Sequence, residues 1–105
     1  MNDCIFCRII KGDFKTEFIF ENEFVVVFKD INPKADTHLL VVPKLHVESL
    51  NELNDKNLLS ELLLSVKAVT KKLGIKSYRT VINTGVESGQ EVFHLHIHIL
   101  AGRIY

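Results

Sequence analysis

A chain of 105 residues with thirteen Lys and Arg against thirteen Asp and Glu has zero formal charge, and its hydrophobic share is 47%. That is enough for one packed domain over residues 1–105 and too apolar for a disordered chain. Balanced charge removes the basic signature of nucleic-acid binding and the field that steers a protein to a membrane surface. No apolar run reaches the roughly 18–20 residues of a spanning helix. Two cysteines exclude a secreted disulfide scaffold, and Met1-Asn2-Asp3-Cys4 lacks the basic-then-apolar order of a signal peptide, so a cytoplasmic protein is expected.

In chain order, Cys4 to Ile10 reads as a short helix. Phe18 to Phe20 and Phe24 to Phe28 are aromatic or β-branched runs joined by Glu21-Asn22-Glu23, which predicts a hairpin. A turn-like stretch from Asp30 to Asp36 introduces a third strand, His38 to Val42, and Pro33 and Pro43 lie at strand boundaries. Asn54 or Asp55 offers an N-cap. After it Leu58, Leu59, Leu62, Leu63, Val66, Val69 and Leu73 recur at three and four up to Gly74, an amphipathic helix with a glycine stop. Arg79 to Asn83 reads as a strand, Gly85 to Gly89 as a loop, and Val92 to Leu100 as the last strand. Together these predict an α+β fold, a five-stranded, mostly antiparallel sheet with one long helix and a short N-terminal helix.

Three of the five histidines fall in His94-Leu95-His96-Ile97-His98-Ile99-Leu100. Side chains alternate along an extended strand, so the three imidazoles share one face and Leu95, Ile97 and Ile99 the other. A half-exposed strand could carry histidine without function. Alternating imidazoles also suit zinc ligation, and a neutral imidazole can attack phosphorus to form a covalent intermediate. Cys4 and Cys7 have C-x-x-C spacing, which fits a redox pair, two inert thiols, or half of a Cys₂His₂ zinc site.

The histidine run resembles the motif of the histidine triad (HIT) superfamily. So do Cys4-Ile5-Phe6-Cys7-Arg8-Ile9-Ile10, Phe28-Lys29-Asp30-Ile31-Asn32-Pro33, His38-Leu39-Leu40-Val41-Val42-Pro43-Lys44, Asn83 to Gly85, and Gly89-Gln90-Glu91-Val92-Phe93. The resemblance covers nearly the whole chain and is strongest to the Hint branch of nucleoside phosphoramidases. It implies a homodimer that binds a purine nucleoside monophosphate and hydrolyses its phosphoramidates or aminoacyl or lysyl adenylates. Neither an organic cofactor, nor a nucleic-acid partner, nor a membrane is expected. Cleavage of dinucleoside polyphosphates, as in the Fhit branch, and nucleotide binding with incidental hydrolysis are the alternatives.

By the same resemblance, His96 is the nucleophile, His98 hydrogen-bonds the phosphoryl oxygens, and His38 supports both rings. Asp30 receives the ribose hydroxyls, while Ile5, Phe6, Ile9, Phe28, Ile31 and Leu40 wall the purine. Asn83 and Gly89, Gln90, Glu91 and Val92 form the phosphate-side loop. Glu91 stands where the eukaryotic branch often has serine, and a carboxylate repels a phosphate unless it faces away, protonates or meets a cation. Some bacterial-type members hold a structural zinc, and the matching ligands are Cys4, Cys7, His46 and His94.

Overall fold

The computed structural model describes residues 3–105. Helix α1 (Ile5–Lys11) starts at Cys4, whose Sγ accepts from the Cys7 amide, and stops at Gly12, whose φ of 95° only glycine adopts freely. Strands β1 (Phe20–Glu21), β2 (Val25–Lys29) and β3 (Ala35–Pro43) follow. Helix α2 (Lys56–Lys72) is capped by Asp55, whose carboxylate accepts from the Asn57 and Leu58 amides. Strands β4 (Arg79–Val81) and β5 (Ile97–Ile104) complete a sheet of order β1-β2-β3-β5-β4 in which every pair is antiparallel. The α+β expectation holds. No helix among the described residues is long and apolar enough to cross a membrane.

Residues 25–28 are all buried because β2 is covered on both faces. Val25 and Val27 join Leu39, Val41, Leu95, Ile97 and Ile99 beneath the Leu58, Leu62, Val66 and Val69 stripe of α2. Val26 and Phe28 point the other way, to Phe6 of α1, Leu40 and Val42. The two sets alternate as a period of two requires. Since α1 is only seven residues long, it covers one end of its face and leaves a cleft over β3, β5 and β4.

Several boundaries differ from expectation. Strand β1 lies one or two residues later than Phe18 to Phe20, because Phe18 packs on Phe28 instead of pairing. Strand β3 takes in Ala35 and Asp36, read above as turn, and Thr37 after them, since β5 runs on to Ile104 and pairs with Ala35 across an irregularity. Gly102 is required there: a Cβ would stand 2.8 Å from the Asp36 side chain, and its φ is 76°. Strand β4 ends at Val81, which leaves Asn83 in the following loop. The loop from Gly85 to Gly89 holds a single 3₁₀ turn, Val86–Ser88, and a second turn at Leu50–Glu52 was not anticipated. Leu63 on α2 and Leu73 just past its end are exposed at 57% and 43%, so the buried stripe is narrower than the leucine pattern.

The largest correction concerns the last strand, which begins at Ile97 and not at Val92. Strand β3 has ended at Pro43, which has no amide hydrogen, and the Leu95 amide turns instead to the Val47 carbonyl at 2.7 Å. His94 and His96 therefore precede the ladder. Their side chains keep the alternation, because Leu95 stays in the α2 core.

Candidate functional site

The register aligns Phe28, Leu40, His98 and Val81 in one row across β2, β3, β5 and β4. This row floors a cleft of about 530 Å³. Ile5, Phe6, Ile9, Phe28, Asp30, Ile31 and Leu40 line one end, and Asn83, Gly89, Glu91 and Val92 line the cleft from the chain leading into β5. His38, His96 and His98 also line it. Thr16, Lys29, Asn32, Lys34, Val81 and Leu100 line it too and were missed by sequence reasoning. The strand period marks Val81 and Leu100 as neighbours of the row, whereas nothing in composition singles out the other four.

A chain of hydrogen bonds sets the tautomer of each ring. The Lys34 amide donates to His38 Nδ1 at 2.9 Å, so in a neutral ring the proton sits on Nε2. His38 Nε2–H donates in turn to His98 Nδ1 at 2.9 Å, which puts the His98 proton on Nε2. His96 Nδ1 lies 2.8 Å from the His94 carbonyl, an acceptor only, so Nδ1 carries the proton and Nε2 keeps its lone pair. The ring centroids of His96 and His98 are 4.9 Å apart, and the edge of Phe6 meets His96 at 5.1 Å. One ring thus offers a lone pair and its neighbour an N–H. Asp30 Oδ2 stands 3.4 Å from His38 Nε2, and Oδ1 accepts from the Asn32 amide, which ties the carboxylate to the same relay.

Burial keeps these imidazoles neutral. It lowers His38 against the opposing pull of Asp30, and lowers His96 against its hydrogen bond to the His94 carbonyl. His98 falls from 6.5 to about 4, through burial first and then through His96 and His38. The unfolded chain therefore binds more protons than the folded one below pH 6.5, and stability declines as pH falls towards 4. Melting temperature is expected to drop between pH 6.5 and 5, above most carboxylate titration, with a shallower slope in His98→Asn. An identical slope in that variant would contradict burial of a neutral His98.

A second cluster sits beside the first. Cys4 Sγ is 3.3 Å from His94 Nδ1, Cys7 Sγ is 3.3 Å from His46 Nδ1 and 3.6 Å from His94 Nδ1, and the two Nδ1 atoms are 3.2 Å apart. The four atoms lie within 4.8 Å of one another and could hold a metal ion. With metal–sulfur bonds of about 2.3 Å and metal–nitrogen bonds of about 2.05 Å, a tetrahedron has edges of about 3.3 Å between nitrogens and about 3.6 Å between sulfur and nitrogen. The observed spacings match those edges. His94 is fully buried, and its Nε2–H donates to the Pro43 carbonyl at 2.8 Å, leaving the Nδ1 lone pair aimed into the cluster. Burial and the neighbouring rings hold it at about 4, neutral as a ligand must be.

Asp30, His38 and His98 also converge within 4.8 Å. The Lys34 amide, however, forces the proton of His38 onto the Nε2 that would face an ion, so this group acts as a proton-ordered relay.

Gln90 is placed differently from expectation. It is 4% exposed and does not line the cleft. Its Oε1 accepts from the Gly85 amide, and its Nε2 donates to the Glu48 and Val92 carbonyls at 2.7 and 3.1 Å. A buried amide must satisfy such groups, and here it braces the loop instead of touching a ligand.

An antiparallel sheet of this order, with a His-x-His-x-His run entering β5 beside an open cleft, defines the histidine triad class of proteins. Residues 3–104 match the family model described as "Scavenger mRNA decapping enzyme C-term binding". The chain is 44% identical to Protein HitA of Neisseria gonorrhoeae over 103 residues, 95% of this chain and 96% of that one. It is similar in structure to a histidine triad protein from Clostridium difficile, with TM-score 0.93 and 39% identity over 100% of this chain and 95% of that one. A HIT family hydrolase from Legionella pneumophila Philadelphia 1 gives TM-score 0.91 and 39% identity, covering 96% and 94%. The chain belongs to the histidine triad family.

Proposed function

We propose that the protein is a nucleotide hydrolase that cleaves nucleoside 5′-phosphoramidates, or aminoacyl or lysyl adenylates, through a nucleotidyl-His96 intermediate. The observation that carries this reading is the His94 carbonyl at His96 Nδ1, which leaves the Nε2 lone pair free in the cleft. That lone pair attacks the α-phosphorus as the P–N bond of a phosphoramidate, or the P–O bond to the acyl group of an adenylate, breaks. In a phosphoramidate the electron pair goes to nitrogen, which takes a proton from solvent and leaves as the amine; in an adenylate it stays on oxygen, and the amino acid leaves as its carboxylate. The His98 Nε2–H stabilises the phosphoryl oxygens, and His38 holds that tautomer in place. Water then displaces His96, releasing the nucleoside monophosphate. Asp30 binds the ribose hydroxyls, and Phe6, Phe28, Ile31 and Leu40 supply the apolar wall for the purine.

The Cys₂His₂ cluster is read as a structural zinc site, since two thiolates and two imidazoles at tetrahedral spacing favour that ion. When bound, zinc would tie α1 to the chain at His46 and His94. A reducing compartment such as the cytoplasm keeps both thiols free for it. Exposed Leu63 and Leu64 on α2, together with the three-residue edge strand β4, support pairing of two copies.

The test compares adenosine 5′-phosphoramidate and an AMP–lysine conjugate with a diadenosine polyphosphate. Release of AMP at higher kcat/KM from the two phosphoramidates is expected. Preference for the polyphosphate would overturn the assignment in favour of Fhit-type chemistry.

A further inference from the structure

The cleft has two ends of different chemistry. Its floor runs from Phe28 on β2 to Val81 on β4, three strand spacings or about 14 Å. Apolar side chains of α1 and β2 enclose the first end, Lys29 and Asp30 of the β2 end also line the cleft, and Lys34 lies against His38, near enough for its charge to act on His38 and His98. His96 and His98 occupy the middle. With the nucleoside at the apolar end and its phosphorus over the histidines, the departing group has the far end, bordered by Val81, Asn83 and Gly89, which lies against the Asn83 side chain.

The loop runs from Gly89 at that end to Val92, which packs on the Phe6 and Phe28 cluster, and Glu91 between them is its charged lining residue and is exposed. It takes no part in the ion pairs among the described residues, whereas Asp30 Oδ2 stands 3.4 Å from His38 Nε2. Its backbone is held between two fixed points, because Gln90 grips the Gly85 amide on one side and the Val92 carbonyl on the other. A carboxylate held there repels an anionic departing group and attracts a cationic one.

Resting on the phosphoramidase reading, we propose that Glu91 is a specificity-determining residue that selects leaving amines carrying a second positive charge. The substrate class is then nucleoside phosphoramidates of diamines and of basic amino acids. Anionic leaving groups, polyphosphates among them, are disfavoured by the same charge. A unit charge about 6 Å from the carboxylate in a water-filled cleft changes binding about threefold, so cationic and anionic leaving groups differ about tenfold. Added salt shortens the reach of this interaction.

The experiment uses three adenosine 5′-phosphoramidates of equal length, made from four-carbon amines that end in an ammonium, a methyl or a carboxylate. In the wild type, kcat/KM is expected to fall in that order, about tenfold from first to last, chiefly through KM. The ratio should shrink in concentrated potassium chloride, approach one in Glu91→Gln and invert in Glu91→Lys. Equal kcat/KM for all three substrates, or a ratio that survives in Glu91→Gln, overturns the inference alone. A wild type inert towards all three overturns the phosphoramidase reading as well.

Discussion

Replacing His96 by alanine is expected to lower turnover by about four orders of magnitude or more, the scale on which removal of an activated nucleophile acts. No neighbour can take over. His98 has its Nδ1 occupied by His38 and a proton on Nε2, and Cys4 and Cys7 point into the other cluster. Nucleotide affinity should change far less, because the purine wall of Phe6, Phe28 and Leu40 stays in place. Steady-state rates with calorimetric binding of AMP separate the two effects. Turnover within tenfold of wild type in His96→Ala would contradict the assignment.

The second large effect is expected at the cysteines. Helix α1 is too short to persist alone. What holds it is Phe6, packed on Phe28 and on the His94 and His96 rings, together with Cys4 and Cys7 in the cluster. The same helix carries Ile5, Phe6 and Ile9 of the cleft. Losing the cluster therefore loosens the purine wall as well as the fold. Cys4→Ser combined with Cys7→Ser, or chelation of the wild type, should cost about 2–4 kcal/mol, a fall of roughly 10–20 °C in melting temperature. AMP should bind at least about tenfold more weakly, and added zinc should restore the chelated wild type but not the double variant. A double variant with wild-type melting temperature and AMP affinity would refute a metal-tethered α1.

Much of this architecture was legible in side chains. The 3.6-residue period from Leu58 to Val69 marks the face of α2 that packs on the sheet, and the alternation of His94 to Ile99 marks which side chains leave that core. Eleven of the twelve residues expected around the nucleotide line the cleft, and the four expected metal ligands converge. What stayed hidden is carried by the backbone. The groups that set the tautomers are the Lys34 amide and the carbonyls of His94 and Pro43, backbone groups that do not depend on the side chain. Gln90 misleads for a related reason. Its place in Gly89-Gln90-Glu91-Val92 suggests a ligand contact, yet its amide is consumed by the Gly85, Glu48 and Val92 backbone. The late start of β5 follows from a distant event, the end of β3 at Pro43, to which residues 92–96 give no local clue.

The central claim is that His96 Nε2 becomes covalently bonded to phosphorus. Protein mixed with adenosine 5′-phosphoramidate, quenched in alkaline denaturant during turnover and digested, should yield one peptide heavier by a single adenylyl group, with fragmentation placing it on His96. The modification should be absent from His96→Ala. An adenylyl group on another residue, or turnover with no modified peptide at any quench time, would contradict the account.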